Sequence, residues 1–158
     1  MLPRRRVHGV SVANEATKTQ GGIEKKWGKA IAGAGWTAVP NILLEKCHAL
    51  GLTTTDLAIL LQIMKYWWQP DGIAFPAKAT IARALNVDAR TVQRRIAEME
   101  KLGIVRRKRR PGSNGTNEYH LDGLKQLLMP HAREAASQRE QHRAQRQARQ
   151  NAKKAKGA

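Results

Sequence analysis

The strongest constraint on this chain is the stretch from Phe75 to Arg110, FPAKATIARALNVDARTVQRRIAEMEKLGIVRRKRR. Its apolar residues recur at helical spacing through Ile81, Ala82 and Leu85, pause at Asn86-Val87, and resume at Val92, Ile96 and Met99. Asp88 suits the N-cap of the second run, and Gly103 suits a left-handed stop after it. Ile104-Val105 then opens a strand that runs into ArgArgLysArgArg at 106–110. The pattern predicts a short helix over 77–85, a tight turn, a longer helix over 89–102, and a strand. At about 100° per residue, Val92, Ile96 and Met99 fall on one side of the second helix. Arg90, Arg94, Ala97 and Lys101 fall on the other, flanked by Gln93 and Thr91. An apolar stripe opposite long basic and amide side chains suits a helix that lies in a DNA major groove.

The distribution of charge points the same way. The chain has 158 residues and a formal net charge of +17, so an anionic polymer or surface is the natural partner. Residues 36–103 hold eight Lys/Arg and six Asp/Glu, a net of only +2. Residues 1–35 hold seven against two, 104–129 six against two, and 130–158 eight against two. The excess therefore lies outside the balanced central part, as in a nucleic-acid binder with loose basic arms. The length suits one modest domain plus tails.

Residues 1–35, rich in Gly, Lys, Ala and Thr, read as a flexible basic N-terminal arm in which Trp27 is an unusual docking candidate. The domain is expected over 36–129. It opens with an extended segment, then a helix from Pro40 that carries Ile42, Leu43, Cys47 and Leu50 and ends at Gly51. Thr53 and Asp56 form a capping-box pair for the next helix, 57–67, which is apolar almost all round and so central to a core or shared with a second subunit. Residues 111–116 form a hairpin turn, 117–121 return as a strand with Tyr119 and Leu121 on one face, and Asp122 caps a short helix that Pro130 closes. The tail 130–158 lacks Leu, Ile, Val and aromatic residues, and reads as disordered or as a solvated helix.

The run IARALNVDARTVQRRIAEMEKLGIVRR, with the upstream FP, the TrpTrp pair and the later NEYHLDGL, resembles bacterial winged-helix regulators. That group includes phage- and plasmid-borne regulators and replication-initiator domains. The resemblance covers about residues 36–129 and implies a mainly α winged helix-turn-helix with a small β-hairpin wing. It also implies base-edge contacts from Arg90, Gln93 and Arg94, with phosphate contacts from Thr91 and the wing at 104–121. Asp88 departs from the pattern, which has Ser there; an acid caps equally well but repels a nearby phosphate.

The expected DNA-binding residues are Lys78, Arg90, Thr91, Gln93, Arg94, Lys101, Arg106, Arg107, Lys108, Arg109, Arg110 and Asn114. Against this stands the ordinary reading of a charged helix face, simple solvation. Arg95 points aside, toward a structural ion pair with Glu98 or Asp88. Strand alternation sends Arg106, Lys108 and Arg110 one way and Arg107 and Arg109 the other, so about half the wing cations reach phosphate. Trp67 and Trp68 suit a core or dimer interface better than base stacking, because no aromatic series follows on a sheet face.

Other chemistries find little support. Cys47 is the only cysteine, which excludes an intrachain disulfide, and His8, His48, His120, His131 and His142 show no metal-ligand spacing. Gly28-Lys29-Ala30 is a broken phosphate loop, and no Ser–His–Asp set follows from spacing. No signal peptide or apolar span is legible. The expectation is a cytoplasmic, non-enzymatic protein without cofactors that binds double-stranded DNA sequence-specifically. A dimeric transcriptional regulator of a bacterial or mobile-element operon comes first, with contacts from Trp67, Trp68 and the 57–67 helix. A plasmid or phage replication or partition factor, or a DNA-binding subunit with a protein partner on its tails, comes second. A nonspecific nucleic-acid or RNA binder comes third.

Overall fold

The computed structural model describes residues 21–67, 73–110, 112 and 116–156. Residues 1–20 of the arm, Trp68, the 69–72 turn and most of the hairpin tip, including Asn114, lie outside them. The chain divides after Ala38 into two units. In the first, residues 21–27 form helix α1 and Lys29–Gly33 form α2. Gly28 joins them at φ 84°, a conformation that a side chain would resist. The described part of the expected arm is thus largely helical.

The second unit contains α3 (Asn41–Lys46), α4 (Thr54–Met64), α5 (Lys78–Leu85), α6 (Ala89–Lys101), β1 (Arg106–Arg109), β2 (Asn117–His120) and α7 (Asp122–Lys156). α3 is shorter than expected, and its last residues give way to turns that reach Gly51 at φ 76°. The capping box of α4 is in place. Thr53 Oγ1 accepts from the Asp56 N–H at 3.3 Å, and Asp56 Oδ2 accepts from the Thr53 N–H at 2.8 Å and the Thr53 hydroxyl at 2.7 Å. Ile59, Leu60, Ile63 and Met64 are buried, and Leu57 and Leu61 are partly so. α4 is therefore the central helix, packed against α5 and α6. It ends at Met64, and Trp67 beyond it packs on the unit's own core with Lys125 Nζ 4.9 Å from its ring centroid.

Asn86, at φ 51° and ψ 48°, makes the left-handed turn after α5. Asp88 takes the N-cap position of α6 with extended backbone, yet its carboxylate makes no cap hydrogen bond. It is exposed, so water can serve the first N–H groups instead. β1 and β2 pair antiparallel, with Arg106 opposite His120 and Arg109 opposite Asn117. Ala74 adds a bridge on the other side of β2, exchanging hydrogen bonds with Tyr119. Tyr119 and Leu121 are both buried, as their shared face requires.

α7 overturns one expectation. Pro130 does not close the helix, which runs on to Lys156. Proline removes the N–H that would serve the carbonyl four residues back; that residue, Gln126, is exposed, so water can take its place. Leu124 and Leu128 anchor the start of α7 in the core, and the Leu124 N–H donates to the Ile104 carbonyl at 3.1 Å.

One ion pair sets the rotation of α6. Asp56 is fully buried, and Arg95 reaches it across 39 residues of sequence. Arg95 Nε donates to Asp56 Oδ1 at 2.7 Å, a second guanidinium nitrogen meets Oδ2, and the same nitrogen donates to Thr53 Oγ1 at 3.1 Å. Spacing along the chain favours Glu98 or Asp88 as the partner of Arg95. The buried acid wins instead because its desolvated charge needs a planar, two-pronged donor. Burial disfavours ionisation of Asp56, but the bonds from Arg95 and Thr53 outweigh it and hold the carboxyl below its ordinary range.

Two stability measurements test this account. Gly123 lies so close to the Gly103 carbonyl that an added Cβ would sit 1.9 Å from its oxygen. Gly123→Ala should therefore lower stability by about 1–3 kcal/mol in chemical denaturation, although alanine is the better helix former. Arg95→Ala strands a buried carboxylate and should cost about 3 kcal/mol, the lower end for such pairs because the Arg95 side chain is 23% exposed. Because the folded-state pKa of Asp56 is depressed, its contribution is present above the unfolded value of about 3.9 and is lost as pH falls through the folded one. Asp56→Asn should start less stable and lose less between pH 5 and pH 2 than the parent chain.

Candidate nucleic-acid interface

With Val92, Ile96 and Met99 fully buried and Arg95 locked to α4, the opposite side of α6 must face outward. Arg90, Gln93 and Arg94 are exposed and Thr91 is half-buried. Together with Asp88, Ala89 and Ala97 they line one open concavity along the N-terminal half of the helix. Ala97 keeps the middle of this face low, which lets the long side chains on either side define its walls. Lys78, at the start of α5, reaches across to the same face and donates from Nζ to Gln93 Oε1 at 3.0 Å.

The wing cations divide by partner rather than by simple alternation. Arg107 is half-buried and tied to Glu100 of α6: its guanidinium lies 2.9 Å from Oε2, and its backbone N–H donates to Oε1 at 3.0 Å. This clasp fixes β1 against the helix and turns Arg107 into a structural residue. Arg110 lies over the Phe75 ring, 4.8 Å from its centroid. Arg106, Lys108 and Arg109 are exposed along β1. Lys101 sits at the far end of α6 with its Nζ 2.9 Å from Glu98 Oε1, an exposed pair of little strength.

The structure thus gathers Lys78, Arg90, Thr91, Gln93 and Arg94 at one end of α6. Arg106, Lys108 and Arg109 form a separate group on the wing, and Arg107 and Lys101 are engaged with acids of α6. Besides the Arg95–Asp56 pair, sequence reading misses the Arg107–Glu100 clasp, the Lys78–Gln93 bond and the Ala74–Tyr119 bridge. Charge complementarity hints at the Arg107–Glu100 clasp. Neither the Lys78–Gln93 bond nor the Ala74–Tyr119 bridge leaves a local signal. Among the described residues, no helix is long and apolar enough to cross a membrane, and no cluster of His, Cys, Asp or Glu could hold a metal ion.

Comparison with known proteins agrees with this geometry. Residues 50–105 match the model of a helix-turn-helix domain family. The N-terminal domain of the DnaD protein from Geobacillus kaustophilus HTA426 is similar at 26% identity and a TM-score of 0.52, over 74% of this chain and 96% of that one. AbfR, in its disulfide-formed structure, matches at 17% identity and a TM-score of 0.41, over 80% of this chain and 74% of that one, too loosely to carry an argument. No curated protein matches the chain. The α4–α6 helices and the two strands that follow are a winged helix-turn-helix, and residues 50–105 are similar to a helix-turn-helix domain.

Proposed function

We propose that α6 enters the major groove of double-stranded DNA and reads sequence there, while the wing lies on the adjacent backbone. The observation that carries this reading is the exposed Arg90–Gln93–Arg94 face on a helix whose other sides are buried or pinned. An Arg fork matches the two acceptors on a guanine edge, and each good base pairing is worth about 1–3 kcal/mol of discrimination. Thr91, Arg106, Lys108 and Arg109 contact phosphate, which sets position without specifying sequence. The protein is a cytoplasmic, non-enzymatic transcriptional regulator of a bacterial or mobile-element operon, and acts as a homodimer. α4 uses most of its apolar surface inside its own unit, so little of the 57–67 helix is left for a second subunit.

A second reading is favoured by α7. The helix continues far beyond its last core residue, Leu128, and residues 136–152 are exposed throughout. Arg139, Arg143, Arg146 and Arg149 recur there at spacings of four and three and so share one side. Such an element suits a DNA-binding subunit of a replication or partition assembly, in which the winged domain is the platform and α7 engages either the backbone or a protein partner.

Binding-site selection from random duplex DNA tests the main reading. The parent chain should enrich a defined motif, and a two-fold symmetric motif supports the homodimer. Arg90→Ala and Arg94→Ala should each cost about 1–3 kcal/mol on the preferred site while leaving binding to random DNA nearly unchanged. Failure to enrich any motif would sink the regulator. Replacing Arg139, Arg143, Arg146 and Arg149 with Gln should leave the motif intact and flatten the salt dependence of binding, by about 0.9 in log–log slope for each phosphate no longer neutralised. An unchanged slope would assign α7 to a protein partner.

A further inference from the structure

Gln93 is ordinarily expected to read adenine, because its amide can accept from the base N6–H and donate to N7 at once. The bond from Lys78 changes what it has to offer. A lysine ammonium has three donors and no acceptor, so the Gln93 amide must turn its oxygen toward Lys78 and its NH2 away. That oxygen keeps a second lone pair, but pairing with adenine would bring the N6 donor up beside the ammonium that holds it at 3.0 Å, two positive hydrogen-bond donors crowding one acceptor. The outward NH2 has donors alone, as do the Arg90 and Arg94 guanidinium groups beside it. The acceptors lining the same concavity, the Asp88 carboxylate and the Thr91 hydroxyl, belong to the first turn of α6 and its cap.

Resting on the groove-docking reading above, we infer that Lys78 is a specificity-determining residue: by holding Gln93 Oε1 it makes Gln93 a reader of guanine rather than adenine. Guanine is the base that places two acceptors, O6 and N7, side by side in the major groove. The Gln93 NH2 can donate to one of them, and the ammonium of Lys78 adds favourable charge toward the same edge. Lys78 acts here through Gln93 and is a positioning residue. Because α5 and α6 are both packed through buried residues, Ile81 and Ala82 on one side and Val92 and Ile96 on the other, the two side chains are brought together by the fold and not by chance mobility of a loop.

Three parallel selections from random duplex DNA decide the matter, using the full chain as parent, Gln93→Ala and Lys78→Met. Gln93→Ala identifies the motif position that Gln93 reads, because that position becomes degenerate. The parent should show guanine there, preferred about tenfold over adenine. Lys78→Met keeps the length of the side chain and removes the donor, and should shift the same position to adenine by a similar factor. Adenine in the parent, no change of base in Lys78→Met, or no position sensitive to Gln93→Ala would each overturn the inference while leaving the groove-docking reading intact. A parent chain that enriches no motif overturns both. Thermal melts of the two variants within a few degrees of the parent confirm that the comparison is between folded proteins.

Discussion

The bond between Arg95 and Asp56 is the contact on which the geometry of the site depends. A carboxylate with no exposed surface is tolerable only if its charge is matched and its lone pairs are occupied. Thr53 supplies a backbone N–H and a hydroxyl, and Arg95 supplies the cation. The pair therefore ties the first turn of α4, the central helix, to the middle of α6. Burial of Val92, Ile96 and Met99 decides which side of α6 faces the core. Arg95 decides the rotation more finely, because a two-pronged contact has little angular freedom. Arg94, one residue away and so about a quarter turn around the helix, is left pointing outward.

The same helix is held at two other places. Lys78 of α5 meets Gln93 near its start, and Glu100 near its end grips both the side chain and the backbone of Arg107. The wing is thus fixed to α6 by a clasp and not merely by the connection between them. Electrostatically, the result is a sorting of cations. A net charge of +17 suggests an almost continuous basic surface, yet Arg95 and Arg107 neutralise acids within the fold. Among the described residues, exposed cations line the Arg90–Arg94 face, β1 and the far part of α7, with others such as Lys65 and Arg83 elsewhere.

α7 illustrates a balance between packing and local preference. Its first turns are fixed by tertiary contact: Gly123 allows close approach to the Gly103 carbonyl, and Leu124 and Leu128 enter the core. Past Leu128 no core residue follows, and Pro130 adds a local penalty. The helix continues because the sequence beyond is made largely of Ala, Gln, Arg, Lys and Glu, among the best helix formers in water. A rule that ends helices at proline weighs one missing hydrogen bond and misses the propensity summed over the turns that follow.

Features whose interactions span three or four residues were legible from the chain alone. The apolar spacing of α6, the Thr53–Asp56 capping box, the left-handed stop at Gly103 and the buried Tyr119–Leu121 face are local in this sense, since backbone geometry brings such residues together whatever the rest of the molecule does. The exposed face of Arg90, Gln93 and Arg94 followed from that spacing. The partner of Arg95 did not. Glu98 was at helical spacing, and Asp56, which lies 39 residues away, became its neighbour only when α4 packed against α6. The Lys78–Gln93 bond, 15 residues apart, and the Arg107–Glu100 clasp have the same origin. Which ions pair across elements depends on how helices rotate and how deeply a charge is buried, and both are set by packing the whole core, not by any spacing along the chain.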